Sequence, residues 1–376
     1  MTTTRTEIQQ LIAAAGKYRL LDENLEGANA YAFRAHHIPL DKPVFLKVLA
    51  PDPNGELFAE PRLLVEATSD DGENSNLVRV HDAHRLGDAY VVVAMEYVDG
   101  GSVLSRIENG PMPLMDAVGA AIGILHGLAQ LHASLLVHRY IKPANVLLTQ
   151  RYGRVWPKLT DFGSVARLSA PNAAVSASRH SALYVPPEGW ATPSRFDVRS
   201  DIYQAGLVLF EMVHGPLPYD DASYLDREAR REIRDAGASS LGELDPFDRC
   251  QLVDHALARI SATKRVTSLG TLQPYVPKRL ARVINKATTP DPAERYQSAS
   301  EMIGALEALH LPDWRQDDAG YQAPAWCGWD WHILTDPKKQ DQWLIQRSRE
   351  GLAKFRRWAT AANPRAACRL VLEVTA

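Results

Sequence analysis

Residues 137–148 read VHRYIKPANVLL, and Asp161, sixteen residues after Asn145, begins the sequence DFG. A single short pattern containing histidine, arginine and asparagine carries a real risk of a chance match. Two linked patterns in this order and at this spacing are much stronger evidence than either one alone. Together the two segments predict one functional site.

The first segment resembles the catalytic loop of protein kinases, H-R-D-x-x-x-x-N, and the second resembles their D-F-G motif. The resemblance implies that Asn145 and Asp161 hold Mg2+, and that Lys142 and Pro143 occupy the lysine and proline positions of the catalytic loop. Tyr140 departs from the pattern, because the family has there the aspartate that accepts the proton of the substrate hydroxyl. A phenol is a poor proton acceptor at neutral pH, so we expect catalysis to be severely reduced.

The composition is that of an ordinary globular protein, since 45% of the 376 residues are apolar and 23% are charged. This length allows two or three domains, the largest with a well-buried core. The net charge of −3 predicts no general attraction to nucleic acid or membrane. Cys250, Cys327 and Cys368 form no C-x-x-C pair, which indicates reduced thiols rather than a zinc or redox site. Without an uncharged apolar run of about 18 residues, we expect a cytoplasmic protein.

The start of the chain predicts a short helix followed by β-strands. Residues 5–16 have apolar side chains at helical spacing, and a strand opens at Tyr18. Residues 25–33 lie where kinases carry a glycine-rich loop, which implies that Gly27 and Ala28 lie near the phosphates of ATP. The match is poor, because Gly27 stands alone among alanines and Tyr31 replaces the third glycine.

Residues 44–49, VFLKVL, predict a strand that resembles the kinase V-A-I-K motif. The resemblance makes Lys47 the lysine that contacts the phosphates. Glu66, nineteen residues later in an apolar-periodic segment, is the predicted ion-pair partner of Lys47, and Glu60 is the alternative. Phe45 replaces the small alanine that lines the family's adenine pocket, so we expect a narrower pocket.

Residues 76–80 and 90–98 predict two more strands, because both are rich in β-branched or aromatic residues. The second resembles the kinase hinge. It places Met95 at the gatekeeper position and the backbones of Glu96 and Val98 where adenine would be hydrogen-bonded. Residues 115–133 then predict the central helix of the large lobe.

The stretch after Asp161 resembles an activation segment that ends at the variant A-P-E sequence PPE, residues 186–188. It contains the candidate phosphorylation sites Ser176, Ser178 and Ser181. Arg139 would pair with a phosphorylated activation segment, as the arginine before the catalytic aspartate does in kinases.

Two further segments resemble structural parts of the kinase large lobe. Residues 200–212 resemble the buried helix in which an aspartate, here Asp201, anchors the backbone of the catalytic loop. Residues 291–296, DPAERY, resemble the signature whose arginine pairs with the A-P-E glutamate, so Arg295 is predicted to pair with Glu188. The charged run 227–234 predicts a solvated helix face, in a region where kinases often dock substrates.

The tail, residues 311–376, predicts a separate small module. Residues 329–334 and 342–347 read as strands joined by a turn, and residues 369–374 as another strand. Six of the eight tryptophans lie here: Trp314, Trp326, Trp329, Trp331, Trp343 and Trp358. Basic and aromatic residues together can indicate single-stranded nucleic acid. A β module that folds against the large lobe is the favoured interpretation.

The resemblance implies an α+β, bilobal protein-kinase fold similar to bacterial Hanks-type serine/threonine kinases. It comprises an N-terminal helix (1–16), a small lobe (17–98), a large lobe (99–310) and the C-terminal module. One implied function is ATP- and Mg2+-dependent phosphorylation of protein hydroxyls, impaired by Tyr140. The other is a regulatory pseudokinase that binds ATP and acts on a protein partner. Neither function is expected to involve a membrane. A working kinase inactivated at this single position fits the sequence equally.

Overall fold

The computed structural model describes residues 2–26, 31–49, 75–87, 90–178, 181–263, 266–352 and 354–374. Gly27, Ala28, Glu66 and the alternative Glu60 lie outside the described residues, so their predicted roles stay predictions.

The small lobe is a five-stranded antiparallel sheet with the spatial order β1-β2-β3-β5-β4. Helix α1 (Thr2–Ala15) packs against one face of this sheet through Ile8 and Ile12, which are fully buried. Strand alternation points Val44 and Leu46 toward that helix, so Lys47 faces the opposite side, toward the large lobe. The strands are β1 (Tyr18–Glu26), β2 (Tyr31–His37), β3 (Lys42–Leu49), β4 (Val80–Leu86) and β5 (Tyr90–Glu96).

The predicted strand at residues 76–80 is wrong, because β4 begins only at Val80. Leu77 and Val78 are buried in the core of the large lobe instead, at 0% and 1% exposure. Leu77 forms an isolated bridge to Leu159, and the Val78 N–H donates to the Leu159 carbonyl. The apolar residues of this segment are therefore buried against the large lobe rather than in a strand of the small-lobe sheet.

The large lobe is mainly helical and is built around helix α3 (Leu114–Ala133). Among the described residues, α3 alone has the length and apolar composition of a membrane span, but 61% of that stretch is buried inside the protein, as for a core helix. Its neighbours are α2 (Val103–Ile107), α4 (Pro187–Trp190), α5 (Val198–His214), α6 (Arg227–Asp235), α7 (Pro246–Ala262), α8 (Lys278–Ala287) and α9 (Ala299–Glu307).

Two short antiparallel strand pairs flank the functional loops. Strand β6 (Leu136–Val137) pairs with β9 (Ala166–Arg167), and β7 (Val146–Arg151) pairs with β8 (Arg154–Leu159). The catalytic loop lies between β6 and β7, and Asp161 follows β8. This arrangement brings the two sequence segments to one edge of the large lobe.

The C-terminal module is a five-stranded antiparallel meander that packs on the large lobe. Trp314 is fully buried in the large-lobe core, and its carbonyl accepts a hydrogen bond from the Leu114 N–H at 2.9 Å. The strands are β10 (Arg315–Asp317), β11 (Gly320–Trp326), β12 (Trp329–Asp336), β13 (Lys339–Arg349) and β14 (Arg356–Ala361). The predicted α+β class, with a β-containing C-terminal module, is confirmed.

The predicted strand at residues 369–374 is wrong, because these residues belong to helix α10 (Pro364–Val374). Asn363 caps the helix, since its Oδ1 accepts a hydrogen bond from the Ala366 N–H at 2.8 Å. Pro364 begins the helix at the position that proline favours. Cys368 and Val371 lie one turn apart and are buried, at 1% and 0% exposure. The cap and the helical spacing outweighed the β propensity of the Leu-Val-Leu run.

Candidate functional site

The catalytic loop is anchored by Asp201 from α5, as predicted. Its side chain is fully buried and accepts hydrogen bonds from the His138 N–H (2.9 Å) and the Arg139 N–H (2.8 Å). His132 makes a third contact, with Nε2 2.8 Å from Oδ2 of Asp201. Arg139 has a left-handed backbone, with φ of +65°. The buried carboxylate therefore holds the loop in a conformation that an L-residue rarely adopts.

Sequence reasoning missed Gln204, which is also buried on α5 and holds the loop. Its Oε1 accepts a hydrogen bond from the Ile141 N–H at 3.0 Å. Its Nε2 donates to the carbonyls of Arg139 (3.4 Å) and Tyr184 (3.2 Å). Gln204 therefore ties the catalytic loop to the end of the activation segment. The available signal was an amide in an apolar helical run, one turn after Asp201.

Lys47, Asn145 and Asp161 meet at the junction of the two lobes. Nζ of Lys47 lies 3.1 Å from Oδ1 of Asp161, and these side chains are 17% and 36% exposed. Nδ2 of Asn145 donates to Oδ2 of Asp161 at 3.4 Å and to the Tyr140 carbonyl at 2.9 Å. A cation from the small lobe thus reaches the predicted metal ligands of the large lobe.

The donor set at Asn145 and Asp161 suits Mg2+, which prefers oxygen ligands and usually binds through one or two carboxylates plus substrate phosphates. In the described ranges, no group of three or more His, Cys, Asp or Glu side chains could hold a metal ion. A complete metal cage made of protein ligands is therefore absent from that part of the chain. The carboxylate and amide fit an ion that is shared with a phosphate ligand.

Tyr140 and Lys142 contact each other in the catalytic loop. The Lys142 ammonium donates a hydrogen bond of 2.7 Å to the Tyr140 hydroxyl and lies 4.3 Å from the centre of its ring. Both side chains are partly buried. Because Nδ2 of Asn145 donates to the carbonyl of Tyr140, the backbone at Tyr140 is fastened to one of the two predicted metal ligands.

The predicted hinge lies along β5, where Met95 is almost fully buried and Val98 is half-buried. Phe45 is directly opposite Met95 in the β3–β5 register, on the same strand face as Lys47. The Glu96 side chain turns inward and pairs with Nζ of Lys158 at 2.8 Å. Sequence reasoning missed Lys158. Burial lowers the pKa of its ammonium, and the Glu96 carboxylate opposes that shift.

A family model described as the protein kinase domain matches residues 26–305. The chain belongs to the protein kinase family. This match, together with the similar proteins described next, confirms the resemblance to bacterial Hanks-type serine/threonine kinases.

Similar proteins include bacterial serine/threonine-protein kinases. The chain is 31% identical to PrkC of Bacillus subtilis, over 80% of this chain and 41% of PrkC. It is 29% identical to pkn2 of Myxococcus xanthus, over 78% of this chain and 32% of pkn2. It is 30% identical to PknL of Mycobacterium tuberculosis, over 80% of this chain and 68% of PknL. The chain thus spans less than half the length of PrkC and pkn2.

In this kinase domain, Arg139 contacts the activation segment through backbone carbonyls. Its Nε donates to the Ser164 carbonyl, and its Nη1 donates to the Ser176 carbonyl at 2.7 Å. Of the predicted phosphorylation sites, Ser176 is exposed, while Ser178 and Ser181 are half-buried. Arg139, the residue predicted to pair with a phosphorylated activation segment, is therefore adjacent to Ser176.

The predicted pair of Glu188 and Arg295 is formed and is bidentate. Both guanidinium nitrogens, Nη1 and Nη2, lie 2.7 Å from the carboxylate oxygens. The Arg295 side chain is 0% exposed and Glu188 is 15% exposed. Ser200 also donates to Glu188 at 2.7 Å, and the Thr289 carbonyl accepts from Nε of Arg295. This buried pair fastens the end of the activation segment to the base of the large lobe.

A buried carboxylate beside the activation segment predicts a pH-dependent stability. Burial raises the pKa of Glu211 from 4.5 to about 7, against hydrogen bonds that lower it, including those from Tyr184 and Tyr219. The folded state then binds more protons than the unfolded state between these two values. This contribution to the free energy of unfolding is complete below pH 4.5 and is lost as the pH rises through about 7.

We expect Glu211→Gln to remove a pH-dependent contribution of about 3 kcal/mol between pH 4.5 and 7.5. Urea unfolding of wild type and variant across this range tests it. The difference in unfolding free energy between the two proteins should change steadily with pH, because other titrating groups cancel in the comparison. Parallel stability curves for the two proteins would contradict a raised pKa at Glu211.

Proposed function

We propose that this chain binds ATP with Mg2+ as a serine/threonine protein kinase whose phosphoryl transfer is severely reduced by Tyr140. The proposal rests on two neighbouring sets of side chains, one at the predicted nucleotide site and one at the predicted base position. Lys47, Asn145 and Asp161 are assembled at the lobe junction, while the Tyr140 hydroxyl is bonded to Lys142 at the position of the missing base.

The assembled groups would position ATP. Asn145 and Asp161 would hold Mg2+, which neutralises charge on the phosphates when bound. Lys47 would orient the phosphates, and Glu66 is the predicted residue that pairs with Lys47. Met95 and the backbones of Glu96 and Val98 would form the adenine side of the site, with Phe45 narrowing it.

Tyr140 would impair the reaction in three ways. Its neutral phenol is a poor acceptor for the proton of a serine or threonine hydroxyl. Its ring is larger than an aspartate side chain and projects from the same backbone position, so it would hinder the approach of a substrate hydroxyl. It also binds the Lys142 ammonium at 2.7 Å, which leaves that cation less available to an incoming phosphate.

A second candidate function is a regulatory pseudokinase that binds ATP and acts on a protein partner without transferring phosphate. The contact between Lys142 and Tyr140 favours it, because it places two catalytic-loop side chains against each other rather than around a substrate. The retained Lys47, Asn145 and Asp161 are compatible with both functions, since both require nucleotide binding.

Calorimetric titration with ATP, with and without Mg2+, tests the shared part of the proposal. We expect Mg2+-dependent binding, and we expect Asp161→Asn to weaken it at least about tenfold because it removes the charged metal ligand. Asp318→Asn, an exposed carboxylate change in the C-terminal module, is the matched control and should bind like wild type. A folded wild-type chain that shows no Mg2+-dependent binding at millimolar ATP would contradict the proposal.

A further inference from the structure

A basic groove lies at one end of the C-terminal sheet, far in sequence from the catalytic loop. It encloses about 500 Å3 between the ends of β12, β13 and β14. Its lining includes Trp329, Trp358, Arg347, Arg349, Lys354 and Arg356, and no carboxylate side chain lines it. The groove therefore gathers positive charge in a chain whose net charge is −3.

Strand register explains why these cations lie on one surface. Arg347 is directly opposite Trp331 on β12 and Arg356 on β14, while Arg349 is opposite Trp329. Directly paired residues point to the same face of a sheet. Helix α10 packs against β12, β13 and β14 through buried residues such as Val371. The groove lies beside that packed core, where the sheet face becomes basic.

The Arg347 guanidinium is held by tryptophan rings. Its Cζ lies 4.2 Å from the centre of the Trp329 ring and 5.7 Å from the rings of both Trp331 and Trp358. Cation–π contacts fix a guanidinium without using its N–H donors. Arg347 is therefore a positioned donor at the base of the groove rather than a freely rotating surface side chain.

Apart from Arg357, the cations that line the groove form no ion pair among the described residues. Across the described ranges, no ion pair or hydrogen bond involves the side chain of Arg347, Arg349, Lys354 or Arg356. Arg357 has a carboxylate nearby, with Nη2 3.6 Å from Asp336. Several like charges in one concave site repel each other, and an anionic ligand with several acceptor oxygens relieves that repulsion.

We propose that this groove binds a phosphorylated serine or threonine in an extended protein segment. A phosphate carries three strong acceptor oxygens and pairs well with the planar donors of arginine. The groove is compact, which suits one phosphorylated residue and its neighbours. The proposal depends on neither nucleotide binding nor Tyr140.

Two observations favour a protein segment over single-stranded nucleic acid. Nucleic-acid grooves use free aromatic faces to stack bases, whereas the Trp329 ring is covered by Arg347 at 4.2 Å. In addition, β14 is the last strand of its sheet, and no other described strand pairs with its outer edge. An extended peptide can hydrogen-bond to such an edge while its phosphate reaches the neighbouring guanidinium groups.

Fluorescence anisotropy with the full chain tests the proposal. The probe is a labelled peptide of residues 171–186 with Ser176 phosphorylated, compared with the same peptide without phosphate. We expect the phosphorylated peptide to bind at least about tenfold more tightly, and its affinity to fall as salt rises. Arg349→Ala combined with Lys354→Ala should weaken binding at least about tenfold. These two side chains are exposed, so folding should be kept, and a thermal unfolding curve checks it.

Arg369→Ala is the matched control, because Arg369 is an exposed residue of α10 that pairs with Glu373 outside the groove. It should bind the phosphorylated peptide like wild type. Equal affinities for the two peptides would overturn the proposal, and so would unchanged binding by a folded double variant. Tighter groove-dependent binding of a 12-nucleotide single-stranded RNA, or of anionic phospholipid vesicles, would also overturn it by assigning another class of ligand.

Discussion

Tyr140→Asp is expected to phosphorylate itself or a generic protein substrate at least about 100-fold faster than the wild-type chain. The substitution places a carboxylate at the proposed base position, removes the ring that we propose hinders the substrate hydroxyl, and removes the phenol hydroxyl that Lys142 contacts at 2.7 Å. Lys47 and Asn145 each contact Asp161, so these three groups already lie together at the lobe junction. Transfer of radiolabelled phosphate from ATP measures the gain.

Three companion variants separate the causes. Tyr140→Phe keeps the ring but releases Lys142, and it should stay close to wild type if the base and steric access dominate. Tyr140→Ala opens the space without a proton acceptor and should gain less than Tyr140→Asp. Asp161→Asn in the Tyr140→Asp background should abolish the gain, because it removes the carboxylate that we propose holds Mg2+. A folded, ATP-binding Tyr140→Asp protein that transfers no phosphate would favour the pseudokinase function.

Glu188→Ala is expected to lower the free energy of unfolding by about 3–5 kcal/mol, because it leaves the buried Arg295 charge without its carboxylate partner. The Arg295 side chain is 0% exposed, so its charge is shielded from bulk water. Its remaining hydrogen bonds to backbone carbonyls do not neutralise the charge. Urea unfolding monitored by tryptophan fluorescence measures the loss.

The control for this prediction is an exposed ion pair of similar composition. Arg249 and Asp221 lie 2.9 Å apart and are 47% and 42% exposed. Arg249→Ala should therefore cost no more than about 1 kcal/mol. A loss below about 1 kcal/mol for Glu188→Ala would show that the bidentate pair contributes little to the stability of the large lobe.

The catalytic loop and its supports could be predicted because their residues form ordered sequence patterns. Asp201 is distant in sequence from the catalytic loop that it anchors, and Arg295 is distant from its partner Glu188 at the end of the activation segment. The family pattern nevertheless links these residues. Gln204 and Lys158 were missed because each acts through a contact that only the folded chain brings together. An isolated polar residue in an apolar segment does not reveal which backbone group or carboxylate it will meet.

The incorrect secondary-structure predictions have local causes. Residues 76–80 and 369–374 are both short runs rich in valine and leucine, for which helix, strand and buried crossing segments have similar patterns. At residues 369–374, the Asn363 cap and Pro364 at the first helical position favour a helix. The contact between Tyr140 and Lys142 could not be predicted from spacing, because its geometry depends on the backbone of the catalytic loop.

The most direct test of the central claim compares ATP affinity and phosphoryl-transfer rate in the same two proteins, wild type and Tyr140→Asp. The claim is that the nucleotide site is assembled and that Tyr140 alone obstructs transfer. It predicts Mg2+-dependent ATP affinities within about threefold of each other, together with transfer rates that differ at least about 100-fold. A rate gain explained by a matching gain in ATP affinity, or no gain in either quantity, would contradict the claim.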